Sequence, residues 1–331
     1  MTNANFDTKV QMDTGKKMNS NGLNKLKQSF SEFGVVWALL VIVITISLLT
    51  PSFLNTENII NLLRQVSINA ILAIGMTYVI LTKGIDLSVG SILAFSGIVA
   101  ASFVTGGENN IVFAIFLGLG SGLLLGFING VVIAKFKVTP FIVTLGMMAI
   151  ARGFTFIYGD GRPISNLSEP FLLIGGAKFL AIPIAVWITI AVFILFSIIL
   201  YQTRFGRYVY AIGGSENAAR ISGIKVERSL IWVYSIMGLL AGLAGIILTS
   251  RVSAGLPQAG TAYELDAIAA VVIGGTSLNG GKGRLWGSII GALIIGVINN
   301  GLDLLGVSSY WQQVVKGAII VLAVMLDRKR A

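Results

Sequence analysis

The stretch IVFAIFLGLGSGLLLGFINGVVIA, residues 111–134, carries no charged side chain from end to end. About 20 apolar residues in a helix suffice to cross the hydrocarbon of a bilayer, so this segment reads as a membrane span. Its glycines Gly118, Gly122, Gly126 and Gly130 recur every fourth residue. That spacing sets them along one helix face, where a neighbouring backbone can approach closely. Gly238 with Gly242 and Gly287 with Gly291 repeat the spacing, and all three sets are read as packing faces.

Outward from that segment, uncharged apolar runs recur at 34–50, 65–82, 87–105, 179–201, 229–250 and 285–302. Three weaker runs stand at 138–157, which holds Arg152, at 262–275, which is short, and at 310–326, which holds Lys316. Composition agrees: of 331 residues, 55% are hydrophobic and 11% charged, whereas a soluble domain is about a quarter charged. The expected fold is an all-α membrane protein of about ten transmembrane helices. The polar segment 1–30 is expected to be a disordered cytoplasmic tail, and 31–331 a single membrane domain with a long connection at 202–228.

Orientation follows from the cations. When the connections between the ten runs are assigned alternately to two sides, most of the 24 Lys and Arg collect on one, including Lys83, Lys135, Lys137, Arg204, Arg207, Arg220, Lys225 and Arg228. Arg162, Lys178 and Arg251 fall opposite, and Arg64, Arg152 and Lys316 are expected near outer helix ends, snorkelling to the headgroups. Cytoplasmic loops carry the excess of Lys and Arg, so both termini are expected in the cytoplasm. The net charge of +10 then needs no nucleic acid to explain it.

The two halves are weakly alike. Gly126-Phe-Ile-Asn129-Gly130 resembles Gly296-Val-Ile-Asn299-Asn300-Gly301, and 70–92 can be set against 267–289. Correspondence of the fourth and ninth helices, an odd offset, would make the repeats inverted, an arrangement suited to alternating access.

Enzyme chemistry finds little to use. The chain has no cysteine and no histidine, which removes thiolate catalysis and the usual ligands of zinc and haem; no catalytic residue and no metal site are expected. Thr276-Ser-Leu-Asn-Gly280-Gly281-Lys282-Gly283 lacks the first glycine and the final hydroxyl of a phosphate-binding P-loop. Glu264 and Asp266 stand two apart at a helix start, where the dipole alone attracts acids.

Two readings of Lys83-Gly-Ile-Asp86-Leu-Ser88-Val-Gly-Ser91 stay open. Gly84 can end one helix while Asp86 or Ser88 caps the next, or Asp86, Ser88 and Ser91 can lie at a helix break facing an aqueous path and trade hydrogen bonds with a neutral polar solute. Asn69, Asn129, Asn299 and Asn300 lie in apolar runs, and each must find a partner helix or line a cavity. In the connection 202–228, Ser215 suits an N-cap, Glu216 a first turn and Gly223 a stop, which predicts a short helix from 216 to about 222. A hairpin between two spans needs no such helix, so it implies a partner.

These motifs carry a resemblance. Asn217-Ala218-Ala219-Arg-Ile-Ser-Gly223 is similar to the E-A-A-x-x-x-G cytoplasmic loop of ATP-binding-cassette (ABC) importer permeases, the loop that docks into a separate ATPase. GIDLSVGS, residues 84–91, resembles the signature of the monosaccharide branch of that family, and YELDAIAA at 263–270, GGTS at 274–277, NNGL at 299–302 and GVSS at 306–309 match as well. The likeness runs from about 33 to 330, departing where Asn217 holds the place of the acidic residue, with Glu216 just before it. It implies a permease subunit of the bacterial cytoplasmic (inner) membrane that translocates a monosaccharide, ribose first among them, by alternating access. The same resemblance implies a second permease copy in a homodimer, an extracytoplasmic sugar-binding protein, and a cytoplasmic twin-module ATPase that holds ATP and magnesium, with no cofactor in this chain. It further implies coupling through Gly213, Gly214, Glu216, Asn217, Ala218, Ala219 and Gly223. The rival reading, an ion-coupled secondary sugar transporter, usually requires buried ionisable relays; the charges near the spans, Arg64, Arg152, Glu264, Asp266 and Lys316, are expected toward one end.

Overall fold

Backbone amides in hydrocarbon can be satisfied only within their own helix or by other protein groups, and the apolar runs accordingly form helices. The structure, a computed structural model, describes residues 34–107 and 110–328; the tail 1–30 lies outside the described residues. In order come α1 (Gly34–Leu49), a 3-10 turn (Pro51–Leu54), α2 (Thr56–Leu81), α3 (Val89–Ser102), α4 (Ile111–Phe136), α5 (Pro140–Tyr158) and α6 (Glu169–Gly176). A hairpin of β1 (Lys178–Phe179) and β2 (Ile182–Pro183) leads to α7 (Ile184–Gln202), α8 (Arg204–Gly214), α9 (Glu216–Ile221), α10 (Val226–Val252), α11 (Tyr263–Ile273), α12 (Leu285–Leu304) and α13 (Ser309–Arg328). Six of these, α2, α4, α5, α7, α10 and α12, are long and apolar enough to cross a membrane. The predominantly helical architecture expected from the runs is thus observed, with six helices of membrane-spanning length and composition among the described residues.

Burial sorts the six. Two thirds of the span is buried in α2, α10 and α12, against 22–28% in α4, α5 and α7. The first three make the centre and the others present apolar side chains outward. The glycine face of α4 lies on α10: a Cβ on Gly126 would stand 2.3 Å from Tyr234 O, and one on Gly238 only 2.2 Å from Gly122 O. A methyl at either place would push the helices apart, which is why the fourth-residue spacing holds small residues.

Contacts define two ends. At the basal end Gly281 N donates to Leu81 O at 2.9 Å, Tyr210 Oη to Gly283 O at 2.9 Å and Lys83 Nζ to Gly214 O at 3.4 Å. At the apical end Thr105 bridges Leu167, Ile164 bridges Gly255, and Gly175 N donates to Ser250 Oγ at 2.7 Å.

Two expected spans differ from the rest. The run 87–105 contains only 14 helical residues, in α3, and 262–275 only 11, in α11. Each is preceded by non-helical chain, 82–88 and 253–262, and Gly260 and Ala262 hold left-handed backbone at φ 69° and 67°, which interrupts any helix. α3 and α11 begin side by side, since a Cβ on Gly90 would lie 2.1 Å from Gly260 O and one on Gly260 2.4 Å from Gly90 O. From that crossing α3 runs to the apical end and α11 to the basal end, where Gly274 packs on Gly287.

The non-helical segments need outside partners for their carbonyls. Arg152 Nη1 donates to Pro257 O at 2.7 Å and Ala259 O at 2.8 Å, and Thr144 Oγ1 reaches Ile85 O at 3.3 Å. The expectation of snorkelling is corrected accordingly: Arg152 holds the descending segment, Arg64 Nη2 bonds Gly176 O at 2.7 Å and Lys316 pairs with Asp266.

Candidate functional site

The chain leaves α2 through Lys83, at φ 64°, and Gly84, whose place admits no side chain because a Cβ would meet Tyr234 Oη at 2.3 Å. Asp86 then folds over the start of α3. Its Oδ1 accepts from Ser88 N at 2.9 Å and from Ser88 Oγ at 2.6 Å, while Ser88 itself makes no side-chain cap. Ser88 Oγ in turn accepts from Asn129 Nδ2 of α4 at 2.9 Å. Asp86, Ser88, Asn129 and Tyr234 are all fully buried.

The cluster is under-satisfied. Asp86 Oδ2, Asn129 Oδ1 and Tyr234 Oη have no hydrogen-bond partner among the described residues, and buried polar atoms without partners are rare enough to require a reason. Two acceptors and one hydroxyl are the complement of a small hydroxyl-bearing species. Among the described residues no cation pairs with the carboxylate, which has the partial positive charge at the start of α3 beside it.

A cleft of about 400 Å³ opens at the basal end between Lys83, Lys137, Glu216 and Arg220 and is floored by Gly84 and Tyr234. It connects the surface beside α9 with the outer wall of the cluster.

The structure divides the residues singled out from sequence. It joins Asp86, Ser88 and Asn129. Ser91 is buried in the first turn of α3 and Asn69 within α2, and no hydrogen bond among the described residues ties either to Asp86. Asn299 Nδ2 lies 3.5 Å from Asp266 Oδ2, which accepts from Lys316 Nζ of α13 at 2.9 Å. Asn300 belongs elsewhere: it exchanges two hydrogen bonds with Asn58, at 2.9 and 2.8 Å, fastening α12 to α2. Tyr234, Arg152 and Gly260 were not anticipated, because nothing in their local sequence announces contacts made across the fold.

The predicted cytoplasmic helix is α9, one residue shorter than expected. Ser215 Oγ accepts from Ala218 N at 3.3 Å and Gly223 takes φ 81° after the last turn. Arg220 pairs with both Glu216 and Glu227, bracing α9 against α10. Gly214, Glu216, Asn217, Ala218 and Gly223 are exposed, and Ile221 is 88% exposed. Ala219 is turned inward against Ile212 and Val226, so it anchors the helix and is not offered to a partner. Gly213 is interior too, and a Cβ there would stand 1.8 Å from Leu81 O and 2.4 Å from Gly281 N. The helix pair α8–α9 therefore rests directly on the end of α2 and on the turn after α11.

Comparison with known proteins agrees with this architecture. A family model described as the permease component of a branched-chain amino acid transport system matches residues 58–324. The ribose import permease protein of Bacillus subtilis (strain 168) is 53% identical over 302 residues, covering 91% of this chain and 94% of the relative. The ribose import permease protein of Escherichia coli (strain K12) is 52% identical over 297 residues, 88% and 92% of the two chains. The D-allose transport system permease protein of the same strain is 40% identical over 324 residues, 98% of each. No solved structure matches. With a family model spanning most of its length and such identity to sugar permeases, the chain belongs to the ABC importer permeases, on their monosaccharide branch, and is a multi-pass membrane protein.

Proposed function

We propose that the chain is the translocation subunit of an ATP-driven ribose importer of the bacterial cytoplasmic membrane. Ribose is the cargo named for the relatives at 52–53% identity. The observation that carries the mechanism is the pair of half-spans crossing at Gly90 and Gly260, one of them led by a buried, under-bonded Asp86. Discontinuous helices of this kind bring polar backbone and helix ends to mid-membrane in transporters.

Ten passes account for the molecule: the six long spans, α1, α13, and two passes each made of an extended and a helical half. The alternation of helix ends between the basal and apical poles supports this count. The basal cations Lys83, Lys137, Arg204, Arg207 and Arg220 support a cytoplasmic basal end with both termini there. Asn129 reaching the cluster of α3, and Asn299 reaching Asp266 of α11, support an inverted repeat. The unit 31–331 acts as one permease domain, paired with a second copy.

ATP and magnesium are bound by a partner ATPase of two modules. It docks on the outward residues of α9, namely Glu216, Asn217, Ala218 and Ile221, with Gly214 and Gly223 at the margins. Movement of α9 passes through Ala219 and Gly213 to Leu81 and Gly281, and so to 82–88. Sugar handed over by an extracytoplasmic binding protein is held loosely by Asp86, Ser88 and Asn129, with Ser91, Asn69 and Asn299 along the route; Asn300 serves its Asn58 pair. A pathway must bind weakly enough to release, and few polar groups suit that.

The test is uptake in proteoliposomes containing the chain, its ATPase and its binding protein. Ribose accumulation is expected to require ATP and all three proteins. Accumulation driven by a proton or sodium gradient without ATP would overturn the proposal in favour of an ion-coupled transporter.

A further inference from the structure

Two cavities on the basal rim share a wall. The upper one, about 320 Å³, is lined by Phe205, Tyr208, Lys225, Arg228 and Trp232 among others. The lower one, about 170 Å³, is lined by Phe127, Arg228, Ile231, Trp232 and Ser235. Because Arg228 and Trp232 belong to both, they form one groove from the junction of α8 and α10 down the α4–α10 seam.

The chemistry of the groove changes along its length. Its upper part presents two cations and no acid lines either part. The ion pairs among the described residues use Arg220 and Lys316, which leaves Lys225 and Arg228 without a carboxylate. Below them the walls are apolar and face outward, with Trp232 61% and Phe127 47% exposed. Tyr208 and Trp232 stand where interfacial aromatics favour the headgroup level. Ser235, 2% exposed, contributes to the lower wall a hydroxyl with no partner among the described residues. It lies two helical turns, about 10 Å, beyond Arg228.

We propose that this groove binds one anionic glycerophospholipid. Lys225 and Arg228 take the phosphate, Phe127, Ile231 and Trp232 cover the upper acyl chain, and Ser235 supplies a donor to an ester oxygen. A free phosphate would leave the apolar half and the Ser235 hydroxyl unused, so the occupant is the lipid. The site goes beyond the transport reading and stands whether or not ribose is the cargo.

The experiment titrates the delipidated, full-length permease in detergent with dioleoyl-phosphatidylglycerol or dioleoyl-phosphatidylcholine and counts retained lipid by native mass spectrometry. The wild type is expected to prefer phosphatidylglycerol. The double substitution Lys225→Ala and Arg228→Ala should lower that preference about thirtyfold, from about fivefold per surface cation. Arg204→Ala with Arg207→Ala removes two basal cations outside the groove and should leave the preference intact. Ile231→Trp, which keeps both cations and fills the lower cavity, should lower lipid retention as well, and it serves should the double variant fail to fold. An equal loss in both double variants would mean general surface charge, and displacement of the lipid by glycerol 3-phosphate would mean a headgroup-only anion site; either overturns the proposal. The chain has no native cysteine, so Phe127→Cys gives a clean last arm: crosslinking between two copies in the membrane would put protein on the groove and refute the lipid.

Discussion

The half-spans α3 and α11 begin at the same crossing, and each carries a buried aspartate at or near its start. An asparagine of the helix that follows reaches each cluster, Asn129 for α3 and Asn299 for α11. They differ in how the charge is answered. Asp266 accepts from Lys316 at 2.9 Å, so its helix is fastened to α13 by an ion pair. Among the described residues Asp86 bonds only Ser88, and its Oδ2 meets no donor. Breaking a buried pair is costly because it strands a charge, which makes Asp266 a fastening; a buried carboxylate left half-satisfied is a cost to the fold, which supports the proposed role of Asp86 on a passing solute. On that proposal one crossing holds a fixed arm and a working arm.

The sharpest way to break this comparison is to exchange the roles. Lys316→Met should destabilise the protein by about 3–5 kcal/mol, since Asp266 is left buried and unpaired, read as a lowered thermal unfolding temperature in detergent. Adding Asp266→Leu should restore most of it. Full stability in Lys316→Met alone would remove the fastening.

Asp86→Asn keeps an oxygen for Ser88 while deleting the charge. It should cut ribose uptake about a hundredfold, the weight of one lost charged hydrogen bond, at normal membrane abundance. Unchanged uptake would reduce Asp86 to a helix cap and make the two arms alike.

A smaller effect separates the outer and inner faces of the α8–α9 pair. Ala218→Trp, on the exposed face, should abolish copurification with the ATPase. Gly213→Ala, whose methyl would press on Leu81 O, should leave copurification intact while lowering ATP-driven uptake. Loss of copurification in both would place docking and transmission on one surface.

The smallest expected change is at the amide pair away from the crossing. Asn300→Leu should cost about 1–2 kcal/mol by orphaning Asn58, with little effect on uptake once the protein is folded. A transport defect exceeding that of Asp86→Asn would return Asn300 to the sugar route.

Much of this was legible in sequence because hydrocarbon imposes long runs and helix ends are local. The spans at 111–134, 179–201 and 229–250 follow from apolar length, and α9 from Ser215, Glu216 and Gly223. The half-spans were legible only in part: a helix break at Asp86 to Ser91 was one open reading and 262–275 was short, but 87–105 carries no charge, so composition could not show how 82–88 runs or that 253–262 dips inward. Asn58 and Asn300 are distant in the chain, and no spacing pairs them. The inward face of Ala219 was equally illegible, because a helix of under two turns has no periodicity to mark its packed side. Arg152 and Lys316 looked like snorkelling cations since their partners, carbonyls at 257 and 259 and the carboxylate of Asp266, come from remote segments.

The most direct test of the working arm uses cysteines, which the native chain lacks. Ser88→Cys and, separately, Asn300→Cys are introduced into the complete transporter, and thiol labelling by a small water-soluble reagent is measured at rest and during ATP turnover, with and without ribose. Ser88→Cys is expected to be unreactive at rest, to label during turnover and to be protected by ribose, while Asn300→Cys stays unreactive throughout. Labelling of Ser88→Cys that never appears during turnover, in a variant that still transports, would contradict the working arm.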